Sequence, residues 1–409
     1  MRCLFFWLVA LTWQLLAGLA AAAVSVPFFA DLERLSRLVD ISYCVGNTGV
    51  RKPFSCVSRC KDFPDLSLVT TWSTGVLLGD SCGYIAVDHS GGGGLTRGIS
   101  AGGGDDDENG NVAARTRRGA IIVAFRGTYS ITNTIVDLST VPQKYVPYPS
   151  PDDGAEPSPP SREPPEHRCD NCTVHMGFLE SWRNARRVVV PELLRLRAKH
   201  PSYPIQLVGH SLGGAVACLA ALELKVSLGF DGVSVTTFGE PRLGNYHLAH
   251  FVDAVFGLDA DDDDNDDRTL ESRPYRRVTH VNDPVPLLPL EEWGYRPHAG
   301  EVYISKPNLS PSEDDIRTCA GDSDPACSAG AGESASLVKT ARRLLHFSRA
   351  GTETVRAHLG ALSFPARLRL WELFFAHRDY FWRLGLCVPG GDPANWGKGP
   401  LQDAEPGEL

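Results

Sequence analysis

The chain has 409 residues, 43% of them hydrophobic and 22% charged, with a formal net charge of −9. That length and apolar content supply a sizeable core and exclude a wholly disordered chain. Much of the negative charge sits in two runs, residues 105–108 and 259–267, which read as solvated loops and argue against a nucleic-acid partner.

From the N-terminus, Arg2 precedes an apolar run over residues 3–19, and Ala20, Ala21, Ala22 and Ala23 follow with small side chains. This layout predicts a secretory signal over residues 1–23, cut near Ala22 or Ala23, and hence an extracellular protein. The run is almost long enough for a membrane anchor, but its Ala-rich end and few flanking positive charges favour removal. The cysteines beyond Cys3 are then expected to form mostly disulfides. A zinc reading of Cys56 and Cys60 with Cys169 and Cys172 lacks His-rich companion spacing, so no metal is expected. The sequons Asn171-Cys172-Thr173 and Asn308-Leu309-Ser310 are compatible with export and glycosylation.

One domain is expected over residues 24–388, with a flexible tail over 389–409. Insertions near 89–119, 146–167, 258–273 and 306–335 are rich in Gly, Pro, Ser or acidic residues. None buries enough apolar surface to offset its ordering entropy, so each is expected to be mobile and exposed. Between them, residues 120–125 form a short apolar run ending at Arg126-Gly127, which suits a buried strand. Residues 181–200 have helical spacing with a basic outer face. Residues 205–208 read as a strand leading into a helical stretch over 212–225. Residues 233–238 and 275–281 read as further strands, with helical 243–255 between them. This alternation predicts an α/β fold with a mostly parallel central sheet and helices on both faces.

The strongest chemical signal is Gly209-His210-Ser211-Leu212-Gly213-Gly214, placed between that strand and that helix. A nucleophilic serine needs a sharp turn that exposes its hydroxyl to a base, and flanking glycines relieve the crowding such a turn causes. The helix beyond it aims free N–H groups at the charge developing on a substrate oxygen. The serine needs a base and the base an orienting carboxylate, in the chain order Ser, acid, His. Asp283, in Asn282-Asp283-Pro284-Val285-Pro286 just past a strand, is the best acid. His298, His346, His358 and His377 all follow it, and residue patterns alone leave the base open among them.

Several separate motifs then resemble the filamentous-fungal class 3 lipase family, in order along the chain. They are Phe125-Arg126-Gly127-Thr128, Val174-His175-Met176-Gly177-Phe178, the serine motif, Phe238-Gly239-Glu240-Pro241-Arg242-Leu243-Gly244-Asn245, and Asn282-Asp283-Pro284-Val285-Pro286. The stretch around His377 and Gly385-Leu386-Cys387 resembles that family's C-terminal histidine and cysteine. The resemblance implies an α/β-hydrolase fold with Ser211 as nucleophile, Asp283 as orienting acid and His377 as base. It implies Thr128 and the N–H of Leu212 as oxyanion donors, and leaves His298 as a packing or hydrogen-bonding histidine. It also implies bridges Cys44–Cys387, Cys56–Cys60 and Cys169–Cys172. Cys319 with Cys327 is added here from their isolation in one insertion, leaving Cys82 and Cys218 over.

In that family a short helix after the oxyanion residue covers the site. Here Ile131, Ile135 and Leu138 give the corresponding segment an apolar face, for core or for lipid. Thr134 stands where the family often has tryptophan. The expectation is a secreted carboxylic-ester hydrolase, most simply an acylglycerol lipase without cofactor, monomeric, and touching a lipid–water interface transiently. A feruloyl-type or short-chain esterase is the alternative on the same scaffold. A catalytically silent lipid-binding protein, a peptidase and an acyltransferase are the alternatives of other classes.

Overall fold

A computed structural model describes residues 24–75, 80–90, 119–128, 138, 145–147, 169–258, 270–330 and 375–389. In chain order its helices and strands are α1 (Val26–Ser42), β1 (Leu66–Ser73), β2 (Cys82–Asp88), β3 (Ala120–Arg126), β4 (Tyr145–Pro147) and β5 (Thr173–His175). There follow α2 (Met176–Lys199), β6 (Ile205–His210), α3 (Leu212–Leu222), β7 (Val233–Phe238), β8 (Gly244–Asn245) and α4 (Tyr246–Phe256). The series closes with β9 (Tyr275–His280), β10 (Tyr295–Arg296), β11 (Glu301–Ile304) and β12 (Ile316–Thr318).

The main sheet runs β1-β2-β3-β6-β7-β9-β11-β12. From β3 to β11 every neighbour is parallel, and antiparallel strands close the two edges. Alternate side chains of the buried strands serve opposite faces, as the period of a strand requires. Ile121, Val123 and Phe125 of β3 join the core under α2, α3 and α4, whereas Ala120, Ile122 and Ala124 join the core under α1. Every residue of α3 is buried, which explains why it is apolar all round. A smaller antiparallel sheet, β10-β8-β5-β4, lies apart from the main one.

The parallel strands and their crossover helices follow the expected alternation. Helix α1 goes beyond it. Ser25 caps this helix by accepting the Phe28 N–H, and Phe28, Leu32, Leu35 and Val39 face the sheet. Its buried face also carries Asp31, Arg37 and Asp40, and this mixed character hides the apolar stripe from a periodicity reading. The terminal segment 375–389 packs on α1. Trp382 lies against Arg37 and Arg59, 4.9 and 4.1 Å from ring centroid to guanidinium, and Phe381 meets Phe29 edge-on. The Asp40 carboxylate accepts from the Gly385 N–H and the Ser58 hydroxyl.

The segment 306–335 needs correction. Over its described part, 306–330, it is not a free linker, because β12 pairs with β11 and buries Ile316, and Cys319 bonds to Cys327. One buried isoleucine and a bridge supply the ordering that composition did not suggest. Further bridges join Cys44–Cys387, Cys56–Cys60 and Cys169–Cys172, while Cys82 and Cys218 are buried thiols. The signal segment, the tail beyond residue 389 and most of the other insertions lie outside the described residues. Among the described residues no helix is long and apolar enough to cross a membrane.

His175, at the start of α2, illustrates a cost of this packing. Its Nδ1 accepts the Gly177 N–H at 3.1 Å, its ring stacks on Phe178 at 4.1 Å, and burial pushes its pKa down to about 4. The folded form therefore holds it neutral while the unfolded chain titrates near pH 6.5. Its contribution to stability is complete above that pH and is lost as pH falls toward 4. The unfolding free energy should accordingly fall more steeply from pH 6.5 to 4.5 than in His175→Asn, by on the order of 1 kcal/mol per pH unit, read from urea titrations.

Candidate active site

At the end of β6 the chain turns through Ser211, whose backbone takes φ 58° and ψ −131° before α3 begins. A non-glycine residue held there is strained by about 1–3 kcal/mol, so the surroundings must enforce it. The Ser211 N–H donates to the Phe238 carbonyl at 2.9 Å, and the Gly214 N–H closes the turn onto the Ser211 carbonyl at 2.8 Å. Glycine is required on both sides. A Cβ on Gly209 would stand 2.2 Å from the Gly213 carbonyl oxygen, and one on Gly213 would stand 2.4 Å from that of Phe125. The Ser211 Oγ is buried and has no hydrogen-bond partner.

Asp283 follows β9, with its N–H on the His280 carbonyl and its Oδ1 accepting the Val285 N–H at 2.9 Å. The terminal segment brings His377 to it across 94 residues of sequence, with Nδ1 2.9 and 2.8 Å from the two carboxylate oxygens. Tyr380, one turn after His377, donates to Asp283 Oδ2. Burial, and then the Asp283 charge, raise the Tyr380 pKa well above normal, so it remains a donor. With Nδ1–H committed to the carboxylate, the His377 Nε2 carries a lone pair; it too is buried and unpartnered.

Thr128 and Leu212 line one small cleft, together with Gly75, Asp80, Cys82, Arg126 and Gly127. The end of β3 passes close to the serine there, since a Cβ on Gly127 would stand 2.8 Å from the Ser211 Cβ. Of the three apolar residues expected to cover the site, Leu138 is described and is fully buried in the core beneath the helices. Ile131 and Ile135 lie outside the described residues, as do His346 and His358.

His298 stands elsewhere. Its Nε2 meets Glu240 Oε1 at 3.1 Å, its Nδ1 meets the Ala299 carbonyl at 2.8 Å, and its ring lies edge-on to Tyr275. The other Glu240 oxygen accepts from Thr237 and Tyr275. Cys218, Glu240 and His298 are close enough together to share a cation. Burial, and then the Glu240 charge, keep the Cys218 thiol well above its ordinary pKa, so it is protonated, and the carboxylate is already hydrogen-bonded. That chemistry suits a structural network better than a metal. Glu240, Tyr380, His210 and Tyr43 are the neighbours that sequence reasoning did not single out. Of these, His210, beside Ser211, and Tyr380, three residues after His377, lie near expected triad residues in sequence.

Gly239 has φ +61°, and a Cβ there would come within 2.8 Å of Asp283 Oδ2 and of His377 Cε1, and 2.7 Å from the Tyr380 hydroxyl. Gly239→Ala should therefore spread the acid from the base. We expect hydrolysis of a soluble p-nitrophenyl ester to fall on the order of 10²-fold. An unchanged rate in a folded variant would contradict this geometry.

The family model described as Lipase (class 3) matches residues 122–293. The chain is 63% identical to "Secreted mono- and diacylglycerol lipase 2" of Gibberella zeae, covering 94% of this chain and 88% of that protein. It is 59% identical to "Lipase A" of Sodiomyces alcalophilus, covering 92% and 86%. Among solved structures, the Lip2 lipase of Yarrowia lipolytica superimposes with a TM-score of 0.64 at 28% identity, covering 90% of this chain and 98% of that one. The sheet order, the strained serine turn and these likenesses agree on one α/β-hydrolase fold, and the chain belongs to the class 3 lipase family.

Proposed function

We propose that this protein is a secreted acylglycerol lipase using Ser211, Asp283 and His377. One observation carries the reading. His377 donates through Nδ1 to Asp283, while its Nε2 and the Ser211 hydroxyl are buried without partners, and these are the two groups that a serine-histidine relay joins. Contacts of this kind often tighten only when substrate is bound. His377 takes the proton of Ser211, whose oxygen attacks the ester carbonyl carbon. The backbone N–H groups of Thr128 and Leu212, with the Thr128 hydroxyl, stabilise the oxyanion. The protonated base then gives its proton to the departing alcohol. Water, deprotonated by His377, attacks the acyl-serine, and the fatty acid leaves as Ser211 regains its proton. Asp283 holds the ring in the right tautomer, and Tyr380 and the Val285 N–H hold Asp283.

The names of the relatives from Gibberella zeae and Penicillium cyclopium, both secreted mono- and diacylglycerol lipases, support partial glycerides as substrates and export as the destination. In this reading residues 1–23 are removed on export. Ile131, Ile135 and Leu138 belong to the cover of the site, and a single chain meets the lipid–water interface transiently.

The test is hydrolysis of emulsified mono-, di- and triacylglycerols and of p-nitrophenyl esters by protein recovered from the medium, beside Ser211→Ala. Turnover of glycerides with a loss of about 10⁵–10⁶-fold in kcat in the variant is expected. A Ser211→Ala protein that keeps its turnover would overturn the assignment.

A further inference from the structure

His210 immediately precedes Ser211 and is fully buried, yet the relay just described does not use it. Both its nitrogens are engaged. Its Nδ1 meets the Tyr43 hydroxyl, and its Nε2 meets the main-chain carbonyl of His377 at 2.8 Å. Tyr43 in turn is hydrogen-bonded by the backbone N–H of Gly127, the residue before Thr128. The proton positions follow from what each end permits. A backbone N–H only donates, so the Tyr43 oxygen accepts from Gly127 and passes its own hydrogen to His210 Nδ1. A carbonyl only accepts, so His210 Nε2 carries hydrogen and gives it to His377. Every link points the same way, and only neutral, Nε2-protonated His210 completes the chain.

A second proton on Nδ1 would face the Tyr43 hydrogen and leave that hydroxyl without an acceptor in a dry place. Burial, and then the charge that His377 gains when protonated, hold the His210 pKa well below its ordinary value. Burial also raises Tyr43 to about 12, so the hydroxyl keeps its hydrogen. These elements are fastened together independently as well. Cys44, beside Tyr43, is bonded to Cys387 of the terminal segment, and Gly385 lies against the Tyr43 ring, where a Cβ would stand 3.1 Å away.

We propose that Tyr43 and His210 are positioning residues, forming a one-way hydrogen-bond chain from Gly127 to the His377 carbonyl that sets the base in register with the nucleophile and the oxyanion loop. This rests on Ser211 and His377 acting as proposed above. Asp283 orients the His377 ring, whereas His210 holds its backbone, so that both ends of the residue are fixed. Ser211 inherits the same anchor through its covalent bond to His210. A serine and a base so tied keep a fixed separation.

The experiment compares His210→Gln, His210→Leu, Tyr43→Phe and Tyr43→Phe/His210→Leu in the full chain, with kcat and KM on a soluble p-nitrophenyl ester and thermal midpoints. Gln carries both an N–H for His377 and a carbonyl for Tyr43, whereas Leu fills space and offers neither. We expect His210→Leu to lose on the order of 10²-fold in kcat with KM little changed, and His210→Gln to regain most of that loss. Tyr43→Phe, which removes one oxygen atom, should lose less than His210→Leu. The double variant should lose no more than His210→Leu alone, because the chain is already cut. Equal rates in the Gln and Leu variants, or losses confined to KM, would overturn the proposal. Should His210→Leu fail to fold, a Tyr43→Phe protein with wild-type kcat would do the same. Full activity in Ser211→Ala would instead remove the triad reading on which the proposal stands.

Discussion

The structure depends on one backbone crossing, where the turn after β6 is pressed against the end of β3. Gly213 sits under the Phe125 carbonyl and Gly209 against Gly213, so close that no side chain fits between them. This contact forces Ser211 into its strained conformation and begins α3 at Leu212. It also sets the loop carrying Thr128 beside the same serine. Fixing the serine turn and the loop that carries Thr128 is thus a single steric event. Rigid packing here replaces what would otherwise be an entropic cost of assembling the groups at each turnover.

Asp283 and His377 are added to this centre by longer-range means. Asp283 leaves the carboxyl edge of β9, next to β7, the usual place for functional groups in a parallel sheet. His377 arrives on a segment whose described residues beyond 376 form turns and one isolated bridge, Asp379 with Arg383. That segment is ordered by what it leans on: the two guanidinium groups over Trp382, the Asp40 carboxylate, and the bridge from Cys44. The polar face of α1, unusual in a core helix, is what receives it. Buried charges persist there because each meets a partner, Arg37 with Glu33 and Arg276 with Asp31 among them.

Much of this was legible in the sequence, and the division has a physical reason. The central strands and crossover helices announced themselves because fully buried elements are apolar over their whole length, as in residues 120–125 and 212–222. The elbow announced itself because its steric demands fall on neighbouring residues. The partner of Asp283 did not, since four histidines follow it and only topology chooses between them; there the family motifs supplied what spacing could not. Helix α1 and the short strand β12 escaped notice because their ordering comes from distant partners: strands of the sheet for one, β11 and a bridge for the other. His210 and Tyr43 escaped notice for the same reason, as nothing local to either residue reveals the other.

The placement of His377 on the terminal segment has a consequence for biosynthesis. Thr128, Ser211 and Asp283 all leave the ribosome earlier, and His377 follows Asp283 by 94 residues. At about 5–20 residues per second this is an interval of roughly 5–20 s in which, on the proposed triad, the serine would have no base. A chain still being threaded through a membrane would then be chemically silent beside the lipids of its own export route. On that proposal, activity would switch on only when the segment carrying His377 docks on α1 and the bridge to Cys44 closes behind it.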